Sequence, residues 1–273
     1  MSLDGKRDRI RQELIGAQPK RAFLVEGADD KAAFRILLER FVPGWEQRWA
    51  IAEAGNKRQL QELLALEPDW VGLVDRDEWD EAVIADRQAQ LPNLMILPRF
   101  CLENYLIDPS ELWPAIPPRR QMDVPGGEAA FRSRIESQLS GFRRHGALWK
   151  VVTPLWSGLR ALGFKEALAS ESSLATAQDD AEIQRILGEW DALLDPARIF
   201  ADFQARLTAA DAVTPSEQLA HWVHGKVFWE KVVNPTMNAT LGQMAEGERR
   251  RKILRKLPQP ADLQPVFDRL ASI

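Results

Sequence analysis

The chain has 273 residues, 45% hydrophobic and 28% charged, with a formal net charge of −4, the balance of an ordinary globular protein rather than a disordered or fibrous one. Its single cysteine, Cys101, excludes intrachain disulfides and leaves too few thiolates for a zinc ribbon or an iron–sulfur cluster; it reads as a small buried hydrophobe at a strand end. The opening MSLDGKRDRIRQELIG is charged throughout, and no stretch approaches the roughly 20 apolar residues of a membrane helix, so a cytoplasmic location with no membrane partner is expected.

Residues 3–16 predict a charged helix ending at Gly16, and Pro19 separates it from the first strand. Residues 22–25 form that strand, a short apolar run without alternation, the pattern of a strand buried on both faces of a parallel sheet. Asp29-Asp30 can cap the next helix, in which Phe34, Leu37, Leu38 and Phe41 recur at helical spacing until Pro43-Gly44. Residues 49–53 are the second strand, Gly55-Asn56-Lys57 a turn, and Leu60, Leu63 and Leu64 mark a helix that stops before Pro68. The third strand is 70–74, a helix covers about 80–90, and the fourth strand is 94–97. Asp108-Pro109-Ser110-Glu111 has the form of a capping box with proline at the first helical position. Strand and helix in alternation predict an α/β domain over residues 1–115, a small parallel sheet flanked by helices with right-handed crossovers.

Beyond about residue 116 the character changes. Pro114, Pro117, Pro118 and Pro125-Gly126-Gly127 mark a boundary. Amphipathic segments at about 127–145, 155–170, 179–194, 196–211, 215–233, 243–256 and 261–271 then predict an all-helical C-terminal domain or cap over 116–273. Trp156, Trp190, Trp222 and Trp229 are read as core packing rather than base-stacking platforms. Residues 1–110 hold 15 basic against 20 acidic residues and the remainder 21 against 20, so the acidic excess lies in the α/β part. Basic runs at Arg119-Arg120, Arg143-Arg144-His145 and Arg249-Arg250-Arg251-Lys252 with Arg255 and Lys256 can follow a phosphate backbone or form solvated helix faces, and the net negative charge favours the second.

Four acidic positions fall where predicted strands run out: Glu26 after the first, Asp75 and Asp77 after the third, and Glu103 beyond the fourth. Open α/β sheets bind ligands in the crevice beyond those carboxyl ends. Carboxylates gathered there raise one another's pKa unless a cation neutralises them. An oxygen-only ligand set suits a hard ion, so Mg²⁺ or Mn²⁺ is expected before zinc. Asp75 and Asp77, at i and i+2, face one crevice if the chain stays extended. Singly, each has an ordinary explanation: Glu26-Gly27 as a solvated strand end, Glu103 at the positive start of a helix. Their joint placement points to a site. Lys57, after Gly55-Asn56 at a helix start, is placed to help backbone N–H groups hold a phosphate.

These residues carry a resemblance. Val25-Glu26-Gly27 with Asp30 four residues after the glutamate, then Val74-Asp75-Arg76-Asp77 after an intervening strand and helix, resembles the Toprim domain shared by topoisomerases, primases and the OLD (overcoming lysogenization defect) family of nucleases. Leu97-Pro98-Arg99 followed by Leu102-Glu103-Asn104-Tyr105-Leu106 resembles more specifically the OLD-like branch of bacterial Toprim proteins that includes anti-phage effectors. The likeness spans about residues 20–115, with a weaker echo at His224-Gly225-Lys226. It implies a nuclease that hydrolyses phosphodiester bonds of DNA or RNA with two Mg²⁺ or Mn²⁺ ions. Carried over by position, Glu26, Asp30, Asp75, Asp77 and Glu103 become metal or metal-water ligands, with Glu26 and Asp75 central to catalysis. One ion is expected mainly on Glu26, Asp30 and Asp75 and the second mainly on Asp77 and Glu103, a bridging role for Asp75 or Asp77 being equally open. By the same analogy a lysine outside the acidic cluster stabilises charge on the scissile phosphate; Lys226 is the candidate and Lys57 its competitor.

Other chemistries fit less well. Tyr105 is the only tyrosine and reads as core, which argues against a topoisomerase, and one cysteine with three histidines cannot build a primase zinc module. His221 and His224, one helical turn apart, lack the further ligands of a metal site. A strand leading into Asp-x-Asp also occurs in aspartyl-nucleophile phosphatases, but there a small residue or threonine normally comes next, and here Glu78-Trp79 does. The remaining alternative is a non-catalytic Toprim-like module that binds nucleic acid or an ATPase. The chain contains no G-x-x-x-x-G-K-[ST] run, whereas OLD nucleases carry a fused ABC-type ATPase, so the resemblance implies a detached effector with an ATPase partner on another chain. A homodimer is compatible with the family, although no coiled-coil seam is present.

Overall fold

The computed structural model describes residues 2–16 and 18–272. Its four strands, β1 (Arg21–Val25), β2 (Trp49–Glu53), β3 (Val71–Val74) and β4 (Leu94–Ile96), form one sheet in the order β2-β1-β3-β4. Every pairing is parallel, with Phe23 of β1 opposite Ile51 of β2 on one side and Val71 of β3 on the other. The strands are apolar without alternation because both faces are covered. On one face, Leu60, Leu63 and Leu64 of helix Lys57–Leu66 pack on Leu24, Val74 and Leu94. On the other, Phe34, Leu37 and Leu38 of helix Ala28–Phe41 share a core with Phe23, Ile51 and Leu73.

The chain leaves β1 for β2 on one side and comes back to β3 on the other, so the winding reverses between β1 and β3. That crevice is where open α/β sheets bind ligands. Glu26 and Asp75 are the residues immediately beyond the two strands that bound it.

An all-helical region succeeds the sheet. Much of it closes the same core: Leu219, Val223, Phe228, Trp229, Ile253 and Phe267 are buried in one cluster with Phe23, Leu73 and Tyr105, and Trp49 Nε1 of β2 donates to Leu270 O of the last helix at 2.8 Å. Helices Leu139–Ala161 and Pro196–Asp211 form an arm with a small core of its own around Ala147, Val151 and Phe203. No helix among the described residues is long and apolar enough to cross a membrane.

Several elements differ from the periodic reading. The segments expected at 127–145 and 155–170 are Gly127–Glu136 and one long helix, Leu139–Ala161, with Pro154 inside it. An interior proline costs a helix about 3 kcal/mol; burial of Ala147 and Val151 before it and Leu159 after it offsets that. The helix expected at 215–233 is divided into Pro215–His221, Gly225–Phe228 and the π-helical Trp229–Val233. Residues 3–16 form an α-helical Leu3–Arg9 and a π-helical Ile10–Ile15.

Two caps are also rearranged. Asp108 caps helix Pro109–Ala115 through Ser110 N at 2.8 Å, but Glu111 does not close the box, because Arg99 holds both its oxygens at 2.6 and 2.7 Å. Asp29-Asp30 lie within the first turn of Ala28–Phe41 rather than before it; Gly27 is the N-cap, and Asp30 reaches back to its N–H at 3.0 Å. Cys101 and Tyr105 are buried as expected, whereas Trp156 is 52% exposed and does not join the core.

Candidate metal centre

The strand-end carboxylates meet at the β1/β3 crevice. Asp75 N donates to Glu26 Oε1 at 3.0 Å, so the side chain ending β1 is fixed to the backbone ending β3. Asp75 is buried; its Oδ1 accepts from Leu102 N at 3.1 Å and its Oδ2 faces Lys226 Nζ at 3.4 Å. Asp30 comes from the first turn of the helix after β1. Glu103 lies in the 3-10 turn Leu102–Tyr105 and is buried; its Oε1 accepts from Arg250 Nη1 at 3.0 Å, and its Oε2 is sealed from solvent with no hydrogen-bond partner.

Asp77 behaves differently. Its φ of 52° turns the chain into the left-handed region, so the extended Asp-x-Asp arrangement expected from the sequence does not form. Asp77 N instead donates to Phe100 O at 2.7 Å, and its Oδ2 accepts from Lys57 Nζ at 2.6 Å. Lys57 also lies over the Trp79 ring, 4.2 Å from its centroid. It does open helix Lys57–Leu66, but Asn56 already caps that helix through Gln59 N at 2.9 Å.

Lys226 reaches Asp75 across 151 positions of sequence, and the packing that brings it there is specific. The fully buried Asn104 donates to Leu219 O and Val223 O at 2.6 and 2.9 Å while accepting from Cys101 N at 3.0 Å, which fastens the break at 222–224 to the 3-10 turn bearing Glu103. Gly225 then lies so close that a Cβ there would overlap the Asn104 side chain and come within 2.8 Å of its backbone N. From the other side, Gly146 of Leu139–Ala161 admits the Trp222 carbonyl where a Cβ would stand. Sequence reasoning missed Asn104 as a positioning residue, although it lies within the quoted Leu102–Leu106 motif. It also missed Arg250, for which a run of three arginines gives no sign of which one turns inward.

The electrostatics are those of carboxylates short of counter-charge. Burial pushes Asp75 up to about 8, the neighbouring Asp30, Asp77 and Glu26 adding to the rise against Lys226. Burial likewise pushes Asp30 to about 6 and raises Glu26, where Lys57 and the Asp75 N–H oppose it. Burial alone would lower Lys226, but Asp75 and Glu103 outweigh it and hold the ammonium above its ordinary range. Lys150, over the rings of Phe100 and Trp222 at 5.5 and 5.4 Å, is pulled down to about 8 by burial and by Arg76. Burial also lowers His221 and His224, favouring their neutral forms.

Among the described residues no group of three His, Cys, Asp or Glu side chains is set to hold an ion as it stands. The donor chemistry nonetheless fits a hard cation. Glu26, Asp30, Asp75 and Glu103 offer oxygens only, and the partnerless Oε2 of Glu103 is the kind of buried acceptor that such an ion satisfies. Glu26, Asp30, Asp75 and Glu103 gather around Lys226, Glu103 being paired with Arg250 as well, while Asp77 is occupied by Lys57. No protein-family model matches the chain, and no curated protein matches it.

Proposed function

We propose that this chain is a divalent-metal-dependent nuclease that hydrolyses phosphodiester bonds of DNA or RNA. The observation that carries the reading is the meeting of Glu26 and Asp75 at the switch point of the sheet, with Asp30, Glu103 and Lys226 around them. Two Mg²⁺ or Mn²⁺ ions held there would supply an activated water and neutralise charge on the phosphate and the leaving oxygen. Glu26, Asp30, Asp75 and Glu103 are the ligands of this proposal. Asp77 joins them only by exchanging Lys57, which would free Lys57 for a phosphate oxygen.

Lys226 has the position of a charge-stabilising group. Its side chain is half exposed and its ammonium faces Asp75, so it can turn from that carboxylate to a phosphate oxygen of an incoming strand. The hydrogen bond from Asp75 N to Glu26 ties the two strand ends together, which preorganises the ligand oxygens. The setting in anti-phage defence, an ABC-type ATPase partner and homodimerisation belong to the same proposal and rest on the Toprim and OLD-like resemblance.

The test is cleavage of supercoiled DNA, single-stranded DNA and total tRNA in Mg²⁺, Mn²⁺ or EDTA, comparing wild type with Glu26→Ala. Metal-dependent cutting that the variant loses supports the nuclease and identifies its substrate class. A second reading, a non-catalytic module that binds nucleic acid or an ATPase, is favoured by one observation: Asp77 and Glu103 already carry ion pairs, to Lys57 and Arg250. Nucleic-acid binding without metal-dependent cleavage, alone and with the partner ATPase added, would establish it instead.

A further inference from the structure

A cavity of about 360 Å³ lies away from the acidic crevice, between helices Pro109–Ala115, Asn234–Leu241 and Glu246–Leu254. Much of its wall is apolar, built from Ile116, Met237, Leu241, Met244 and Ile253. Arg249 also lines it, and this arginine, expected from the sequence to belong to a solvated basic face, is only 4% exposed. Its Nη2 donates to Asn238 Oδ1 at 2.6 Å and to Gly242 O at 2.8 Å, both uncharged acceptors. Its Nε is buried without a partner. No carboxylate pairs with it among the described residues.

Arg99 shows the difference. It is similarly buried, yet Glu111 and Asp262 hold it at 2.6 and 2.9 Å. A buried charge normally has such a partner, because desolvation of an unpaired ion is costly. The cavity supplies none: its lining holds Arg120, Lys252, Arg255 and Lys256 besides Arg249, and no acidic residue. Arg120 and Lys252 have exposed partners in Asp123 and Glu248, while Arg255 and Lys256 form no ion pair among the described residues. Burial holds the Arg249 guanidinium below its ordinary range, with only exposed Glu248 opposing the shift.

We propose that this cavity binds a small molecule with an apolar body and one anionic head, a carboxylate or a phosphate monoester, the head on Arg249 and the rim cations and the body against Met237, Leu241 and Ile253. The volume falls in the range of ligand pockets, about 300–1,000 Å³, which combine apolar walls with a few placed polar groups. A bare inorganic anion would leave the apolar wall unused, and an uncharged apolar molecule would leave the guanidinium unpaired. The site is independent of the proposed nuclease reading. It is nevertheless one residue along the same helix from Arg250, which reaches Glu103.

Calorimetric titration of the full chain with decanoate and decyl phosphate, each below its micellar concentration, tests the site, with decanol, decyltrimethylammonium and inorganic phosphate as comparisons. At least one of the two anions is expected to bind with one-to-one stoichiometry and at least tenfold more tightly than decanol, the cation or inorganic phosphate. Arg249→Gln should weaken that binding at least tenfold. Should Arg249→Gln fail to fold, Leu241→Trp, which fills the half-buried wall and leaves the arginine in place, should abolish it. Binding of decanol as tight as that of the anions, binding that survives the variants, or no binding of either anion would each overturn the proposal.

Discussion

Replacing Asp75 by asparagine separates the charge of the crevice from its shape. The amide oxygen can still accept from Leu102 N, as Oδ1 does at 3.1 Å, but the side chain no longer titrates. In the folded protein Asp75 is raised to about 8 from an ordinary 3.8. Between those values the folded chain holds a proton at Asp75 that the unfolded chain has released, so the Asp75 contribution to stability falls as pH rises through the window and levels off above about pH 8. One such proton corresponds to about 1.4 kcal/mol per pH unit. Asp30, raised to about 6, adds to the slope only at the acid end. Lys150 and the two lowered histidines act in the opposite direction but equally in both proteins, so urea unfolding at pH 6, 7 and 8 without metal should give a wild-type curve that falls more steeply than that of Asp75→Asn by about 1 kcal/mol per unit. At pH 8, Mg²⁺ at 100 times its dissociation constant should restore about 2.7 kcal/mol to the wild type and little to the variant. Equal pH slopes with equal responses to Mg²⁺ would refute the reasoning.

Three further substitutions probe the groups around the carboxylates. Asn104→Ala leaves Leu219 O, Val223 O and Cys101 N without the partner they have in the core; at about 1–3 kcal/mol for each unsatisfied group, urea unfolding should show a loss of at least about 3 kcal/mol, and a loss below about 1 kcal/mol would contradict the positioning role. Lys226→Met should lower metal-dependent cleavage about 100-fold or more, the scale of removing one oxyanion donor, while calorimetry still detects Mn²⁺ binding; wild-type cleavage by this variant would remove Lys226 from the proposal. Arg250→Ala deprives buried Glu103 of its cation, so metal-free stability should fall by about 3 kcal/mol, with Mn²⁺ affinity rising as the freed carboxylate turns to the ion. Unchanged affinity would exclude Glu103 as a ligand.

The sheet was legible because its strands are buried on both faces: 22–25 and 70–74 have no alternation to confuse with a helical period, and Gly, Asn and Pro punctuate them. The helix at 196–211 was equally plain, with Pro196 at its first position and a regular apolar face. What local pattern could not reveal depends on contacts distant in sequence. Pro154 continues a helix that buried Val151 before it and Leu159 after it anchor. Glu111 leaves its cap because Arg99 holds it. The helix expected through 215–233 breaks where Asn104 captures Leu219 and Val223. Asp77 leaves the extended Asp-x-Asp arrangement with its backbone N–H on Phe100 O and its carboxylate on Lys57, contacts that spacing after β3 does not encode. In the arginine run, one residue is buried without an anion and the next pairs with Glu103, although the sequence offers three alike.

The most direct measurement on the candidate centre is anomalous diffraction from crystals soaked in MnCl₂ at pH 8, where Asp75 has lost much of its proton. The account predicts a manganese peak bounded by Glu26, Asp30 and Asp75, with a second on the side of Glu103, the first absent from Glu26→Ala crystals. A map with no peak at the β1/β3 crevice, at a concentration that occupies sites elsewhere on the molecule, would contradict it.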